Sequence, residues 1–268
     1  MKSQTSNQHQ ETSIMKLDIL AIGVHPDDVE LGCSGTLINE IKSGKKAGII
    51  DLTQGELGTR GTIETRYNEA ANAAMIIGVQ VRENLKMRDG FFENDEENKL
   101  KLIAAIRKYQ PDIVIGNVLH DRHPDHGRAG KMIADCCFLS GLVKIETKEE
   151  NASPHDPDGR GKVQQKWRPS YVLHYIQDWY HEPDLLIDIS DVFEQRMKSI
   201  EAYSTQFYSG DRNSDGPHTY ISTPDFLESV IARARMFGKR IGVKYAEGFI
   251  SEKKIGIRHL DALIQHET

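Results

Sequence analysis

Short apolar runs alternate along this chain with longer stretches in which apolar residues recur every three or four positions. Leu17 to Val24 is an aliphatic run that ends at turn residues and reads as a buried strand. Val29, Leu37, Ile38 and Ile41 then fall at helical spacing. The same reading gives a strand at Lys46–Leu52, a helix at Ile63–Ile77, a short strand at Asn84–Met87 and a helix at Asp95–Tyr109. A strand from Asp112 to Leu119 follows Pro111, and apolar residues recur helically after it through Ala129, Met132, Ile133 and Phe138. Further strands are expected at Tyr171–Ile176 and Leu185–Ile189, and further helices at Asp191–Phe207 and Pro224–Arg240. Tyr208–Thr223 reads as loop, and Glu146–Pro169 as a polar surface loop or a lid over a cleft. The alternation predicts an α/β fold: a Rossmann-like, open, mostly parallel sheet with helices on both faces. Residues 1–15 are expected to form a polar, disordered tail, and residues 16–268 a single domain.

Two strand-to-helix turns carry nearly the same tetrapeptide. His25-Pro26-Asp27-Asp28 follows the first strand, and His123-Pro124-Asp125-His126 follows the strand that begins at Asp112. In open α/β sheets, ligands bind beyond the carboxyl ends of the strands, so both turns are placed for chemistry. Proline stiffens each turn, and imidazoles with carboxylates suit a divalent ion such as zinc. The plainer reading of the first turn alone is an Asp N-cap. A catalytic zinc keeps three protein ligands and an open position. His25 and Asp28 from the first turn with His126 from the second make such a set, one Zn2+ per chain, another divalent ion being an alternative. Asp27 is then free to act as general base, His123 as imidazolium to stabilise an oxyanion, and Asp125 to orient His123. These parts match metal-assisted amide hydrolysis.

The formal net charge of -6 gives no electrostatic case for nucleic acid or an anionic membrane, and no apolar run approaches the ~20 residues of a membrane span. Cys33, Cys136 and Cys137 form no paired framework and read as small buried helix residues, which favours a reducing cytoplasm. The second strand runs into Thr53-Gln54-Gly55-Glu56-Leu57-Gly58-Thr59-Arg60-Gly61. Its glycines allow close backbone approach to a ligand, and Glu56, Arg60 and Arg66 supply charge.

The paired tetrapeptides, with Val29-Glu30 after the first, resemble those of the LmbE-like (PIG-L) family of zinc-dependent N-acetylglucosamine deacetylases. The resemblance implies zinc on His25, Asp28 and His126, Asp27 as base, and His123 supported by Asp125 at the oxyanion. The Thr53–Gly61 loop with Glu64-Thr65-Arg66, and the C-terminal Ala232–Gly238 and Tyr245–Phe249, resemble the branch that deacetylates N-acetylglucosaminyl-malate in bacillithiol biosynthesis. They imply a small-molecule glycoside substrate met by Glu56, Arg60 and Arg66, and a homo-oligomer, trimer or hexamer. Ser34 stands where the family pattern has glycine, and the Asp156–Lys166 stretch is longer and more polar than that pattern.

Three alternatives stay open at this point. A sister deacetylase would act on another N-acetylglucosamine derivative, such as a chitooligosaccharide. A non-catalytic metal-binding module would not need the spare carboxylate of Asp27. A Rossmann-type nucleotide-binding protein is disfavoured, because the first turn lacks Gly-x-Gly-x-x-Gly and puts carboxylates where a pyrophosphate needs bare N–H groups.

Overall fold

The computed structural model describes residues 15–149, 162–207 and 217–263. Most of the expected tail of residues 1–15 (1–14), most of the expected lid or loop (150–161) and part of the loop before the last helix (208–216) lie outside the described residues. Seven strands, β1 (Ile19–Gly23), β2 (Ala47–Thr53), β3 (Val81–Met87), β4 (Ile113–Asn117), β5 (Tyr171–Tyr175), β6 (Leu185–Asp188) and β7 (Ala246–Ser251), form one sheet in the order β3-β2-β1-β4-β5-β7-β6. β1 to β5 run parallel to one another, whereas β7 is antiparallel to both β5 and β6. The expected α/β architecture therefore holds as a mixed sheet.

The helices are α1 (Asp28–Lys42), α2 (Ile63–Ile77), α3 (Glu96–Tyr109), α4 (Pro124–Leu139), α5 (Phe193–Glu201) and α6 (Pro224–Ile241). α3 and α4 pack on one face of the sheet, through Leu102, Ile106, Met132 and Ile133 against Leu20, Ile22 and Val114. α1, α5 and α6 cover the other, where Val29, Cys33, Leu37, Phe193 and Ala234 meet Ile115, Tyr175 and Phe249. α1 lies so close to the sheet that a Cβ on Gly32 would stand 2.2 Å from the Tyr175 ring. All three cysteines are free and buried in α1 and α4, as expected.

Two elements differ from the sequence reading. The helix expected over Asp191–Phe207 is helical only to Glu201, after a short 3-10 turn at Ser190–Val192. Beyond it, the Glu69 carboxylate takes the Thr205 N–H (2.7 Å) and hydroxyl (2.8 Å), which removes that N–H from a helical ladder, while Tyr203 and Phe207 still turn into the core. β7 carried no strand signal. Its Glu247 faces inward, accepting from Gly35 N, Thr36 N and Oγ1, and Arg196 Nε, so a buried charge interrupts the expected alternation.

β1 is the point where the sheet order reverses, with β2 and β3 to one side and β4 and β5 to the other. The crevice beyond the carboxyl ends of β1 and β4 is where such sheets bind ligands. Both tetrapeptides open onto it.

Candidate metal centre and active site

The first turn is strained by its sequence. Asp27 is the N-cap of α1 with φ 130° and ψ -21°, a backbone setting that side chains other than glycine rarely take. That setting lets Asp28 start the helix while its carboxylate folds back. Asp28 Oδ2 accepts from Val24 N (2.9 Å), His25 N (3.0 Å) and Asn117 Nδ2 (3.2 Å), and Oδ1 accepts from Gln177 Nε2 (2.7 Å). The second turn is unstrained. His123 caps α4, its Nδ1 accepting the Asp125 N–H at 3.3 Å, and Pro124 occupies the first helical position, where its missing N–H costs nothing.

Between the turns, His126 Nε2 lies 3.3 Å from Asp28 Oδ1, and His25 Nδ1 lies 3.7 Å from Asp28 Oδ2. The opposite ring nitrogens are held elsewhere, His126 Nδ1 by Asp121 (2.8 Å) and His25 Nε2 by Asp89 (3.0 Å). An ionised carboxylate only accepts, so each held nitrogen carries a proton, and in the neutral ring the lone pair points toward Asp28. Histidines that bind metals are oriented in this way, by a carboxylate on the far nitrogen. The donor set of two imidazole nitrogens and a carboxylate oxygen fits a borderline divalent ion.

His123 joins this cluster, its ring centroid 4.8 Å from that of His25 and 5.2 Å from that of His126. Ligand nitrogens of the three histidines lie within 4.8 Å of one another, as do ligand atoms of His25, Asp89 and Asp125. His123 differs from the other two in its hydrogen bond. A backbone N–H can only donate, so Nδ1 of His123 is the acceptor and its ring proton sits on Nε2. His123 is thus built to donate rather than to ligate.

The electrostatics follow from burial and these pairings. Burial opposes charge on His25, but the nearby Asp125 carboxylate, the hydrogen bond to Asp89 and the charge of Asp28 outweigh it and raise the imidazole to about 10. His126 rises to about 9, burial again being overcome by Asp28 and Asp121. Asp28 is held well below the usual carboxylate range, because the charges and hydrogen bonds of its neighbours outweigh its burial. Burial, only partly offset by Arg66, pushes Asp27 up to about 7. Burial, followed by the charges on His25 and His126, lowers His123 to about 4. In the metal-free protein the two neighbouring imidazole charges and little solvent thus disfavour the imidazolium expected at His123, and Nε2–H is the donor of the neutral ring.

The remaining expected site residues are engaged as follows. The Asp125 carboxylate accepts from Gly90 N and from Arg128 Nη1, both at 2.9 Å, and lies 3.7 Å from His25 Nε2, while it meets His123 only through its own backbone N–H. The buried Arg66 donates to Asp27 Oδ2 at 2.9 Å and to the carbonyls of Pro26 (3.2 Å) and Gly55 (3.3 Å). Gly55, at φ +65°, leaves no room for a Cβ, which would stand 2.3 Å from Arg66 Nη1. Close backbone approach in the glycine loop is therefore made to Arg66. Arg60 donates to the carbonyls of Thr205 (2.7 Å) and Pro217 (3.0 Å), and Glu56 accepts from Asp89 N at 2.8 Å.

Asp89, Asp121, Asn117 and Gln177 were not singled out from sequence. Asp121 had a signal, lying five residues before His126 in a polar turn, and Asn117 is a polar side chain ending an apolar strand. Asp89 and Gln177 become visible only when the ends of β3 and β5 arrive beside the site.

Fold and geometry thus define an α/β protein with a histidine–carboxylate cluster, a candidate cation site, at the switch point of its sheet. Known proteins match on the same ground. The family described as PIG-L, GlcNAc-PI de-N-acetylase, matches residues 20–137, which include both tetrapeptides. The diacetylchitobiose deacetylase of Thermococcus kodakarensis is 27% identical over 242 residues, 86% of this chain and 81% of that one. The crystal structure of the conserved protein TT1542 from Thermus thermophilus superposes with a TM-score of 0.75 at 33% identity, covering 90% of this chain and 97% of that one. N,N'-diacetylchitobiose deacetylase from Pyrococcus horikoshii superposes with a TM-score of 0.71 at 26% identity, covering 87% and 82%. The matched stretch, residues 20–137, is similar to the PIG-L (LmbE-like) family, and the chain's activity class is that of an N-deacetylase, a hydrolase of carbon–nitrogen bonds. No helix among the described residues is long and apolar enough to cross a membrane.

Proposed function

We propose that the chain removes the N-acetyl group of a glucosamine glycoside, with N-acetylglucosaminyl-malate of bacillithiol biosynthesis as its substrate. In this reading it holds one Zn2+ through His25 Nδ1, an Asp28 oxygen and His126 Nε2. The supporting observation is the pairing of His25 with Asp89 and of His126 with Asp121, which turns both remaining nitrogens toward Asp28. Bound there, a divalent ion supplies Lewis acidity toward the amide carbonyl and lowers the pKa of water.

Asp27 takes a proton from water as its oxygen adds to the amide carbon. His123 donates its Nε2–H to the oxygen on which negative charge develops. Asp27 then returns the proton to the departing nitrogen, the C–N bond breaks, and acetate and the free amine leave. Arg66 fixes one oxygen of Asp27 and leaves the other for the proton. A group raised to about 7 by burial takes up and gives back a proton near neutral pH.

The reading also takes residues 16–268 as one domain, the working unit as a homo-oligomer (trimer or hexamer, measurable by light scattering) and the location as cytoplasmic. A second reading, a neutral chitooligosaccharide as substrate, is favoured by the similarity to two diacetylchitobiose deacetylases. Turnover of N-acetylglucosaminyl-malate and of diacetylchitobiose, measured side by side, decides between them. Metal content tests the ligand set: His126→Ala should lose most bound zinc, and full retention would overturn it.

A further inference from the structure

Arg233 sits on the inward face of α6, between the buried Val230, Ala234 and Phe237. It borders a small cavity lined also by Leu31, Ile176, Arg196 and Glu247, behind the first turn of α1 and the end of β5. Those two elements carry Asp28 and Gln177, so the cavity adjoins the cation site.

Its guanidinium has no hydrogen-bond partner among the described residues, and Nη2 is shielded from solvent as well. The carboxylates close enough to act on it are Asp178, Asp121 and Glu247. Each is already committed. Glu247 accepts from Gly35, Thr36 and Arg196. Asp121 accepts from His126 and the Trp179 N–H. Asp178 accepts from Arg122 and the Tyr220 hydroxyl. Burial, then the charge of Arg196, brings the guanidinium down to about 10, so it stays charged at neutral pH.

A guanidinium with a shielded, unmet N–H lowers stability, and beside a reactive site its remaining, less buried nitrogens can take an acceptor from outside. A planar fork matches a carboxylate. The cavity is too small for a sugar ring, so only the end of a substrate group could approach the guanidinium that borders it. We propose that Arg233 binds a carboxylate carried by the substrate beyond its glucosamine ring, and so selects anionic glycosides over neutral ones. The proposal deepens the reading above and rests on it for the identity of the glycoside. It moves the recognition of that carboxylate from Arg66, whose Nη1 and Nη2 are held by Gly55, Pro26 and Asp27, and from Arg60, held by Thr205 and Pro217, to an arginine that makes no hydrogen bond among the described residues.

The test compares kcat/KM for N-acetylglucosaminyl-malate with that for the neutral methyl glycoside of N-acetylglucosamine, in wild type, Arg233→Gln and Arg233→Lys. The ratio should fall roughly tenfold to a hundredfold in the Gln variant, mainly through KM, and less in the Lys variant. Free malate, added to the zinc-loaded protein, should raise the Tm of wild type and not of Arg233→Gln. Without ligand, Arg233→Gln should melt no lower than wild type, whereas a structural arginine would lower Tm when removed. Equal losses on both glycosides, or an unchanged ratio, overturns the proposal. If neither glycoside is turned over, the functional reading fails, and the malate shift still decides Arg233: its loss in the Gln variant supports a carboxylate site, its persistence or its absence from wild type rejects one.

Discussion

The two tetrapeptides look like copies and act differently, because the chain enters its helix at a different point in each. In His25-Pro26-Asp27-Asp28 the helix begins at the fourth residue and the third is a strained cap. In His123-Pro124-Asp125-His126 the helix begins at the proline and the histidine is the cap. The third residue is aspartate in both. Asp27 is buried beside Arg66 and raised to about 7, whereas hydrogen bonds and neighbouring histidine charge outweigh burial at Asp125 and lower it. Two residues of helical phase separate a carboxylate fit to exchange a proton from one that ties α4 to the Gly90 turn. Sequence likeness between the turns pointed to the candidate site, but their surroundings differ from one turn to the other.

The largest expected effect breaks that comparison directly. Asp27→Asn should keep zinc and lose about 10²–10⁴-fold in kcat, the usual contribution of a general base. Asp125→Asn, the same change at the matching position, should cost only about 10–100-fold, as outer partners of metal-site residues usually do. Zinc content and single-turnover rates for the two variants give the answer, and equal losses would mean that helical phase does not separate their roles.

The second effect concerns protons that the two turns hold together. His25 and His126, raised to about 10 and about 9, are protonated in the metal-free protein at pH 7.5. Zinc binding should therefore release about two protons at that pH, against about 0.2 for two histidines at the ordinary value near 6.5. Calorimetry in buffers of different ionisation enthalpy counts them. The sign for stability follows. Raised histidines contribute stability that is fully present below about 6.5 and lost as pH rises through about 9–10. The Tm of the metal-free protein should fall across that window, and that of the zinc-loaded protein should fall much less.

How far the site could be read from sequence depends on where each partner comes from. His25, Asp27, Asp28, His123, Asp125 and His126 stand in two short turns at strand ends, and hydrophobic periodicity placed both β1 and β4 before them. The residues that orient them arrive from elsewhere: Asp89 from the end of β3 and Gln177 from the end of β5. Nothing in local spacing reports a contact between residues 64 positions apart, as His25 and Asp89 are. The arginines show the same limit. Charge near a glycine loop pointed to a ligand, but the fold uses Gly55 to make room for Arg66 beside Asp27. β7 went unseen because Glu247 and Gly248 interrupt it, and α5 was overextended because the pull of Glu69 on Thr205 is tertiary.

The smallest effect compares the two arginines that hold the third residue of each turn. Arg66 donates to Asp27 at 2.9 Å within a buried pocket, and Arg128 donates to Asp125 at 2.9 Å from a partly exposed position on α4. Equal distances do not make equal bonds. Arg66 also holds the Pro26 and Gly55 carbonyls, so its fork fixes three acceptors, while Arg128 has the Gly90 carbonyl and solvent as alternatives. An ammonium at residue 66 would lose the fork and leave a buried carboxylate poorly met, and the penalty for that is typically larger than the worth of the pair itself. Arg66→Lys should lower kcat on the malate glycoside and on the neutral methyl glycoside by similar factors, about tenfold each, because its effect passes through Asp27. Arg128→Lys should change kcat/KM by no more than about twofold and stability by no more than about 1 kcal/mol, as partly exposed pairs usually do. Raising salt from about 0.05 to about 0.5 M should weaken the Arg128 contribution to Tm and leave that of Arg66 nearly unchanged, since screening reaches the exposed pair first. A loss confined to the malate glycoside in Arg66→Lys would return Arg66 to the substrate and leave Asp27 to be held by burial alone.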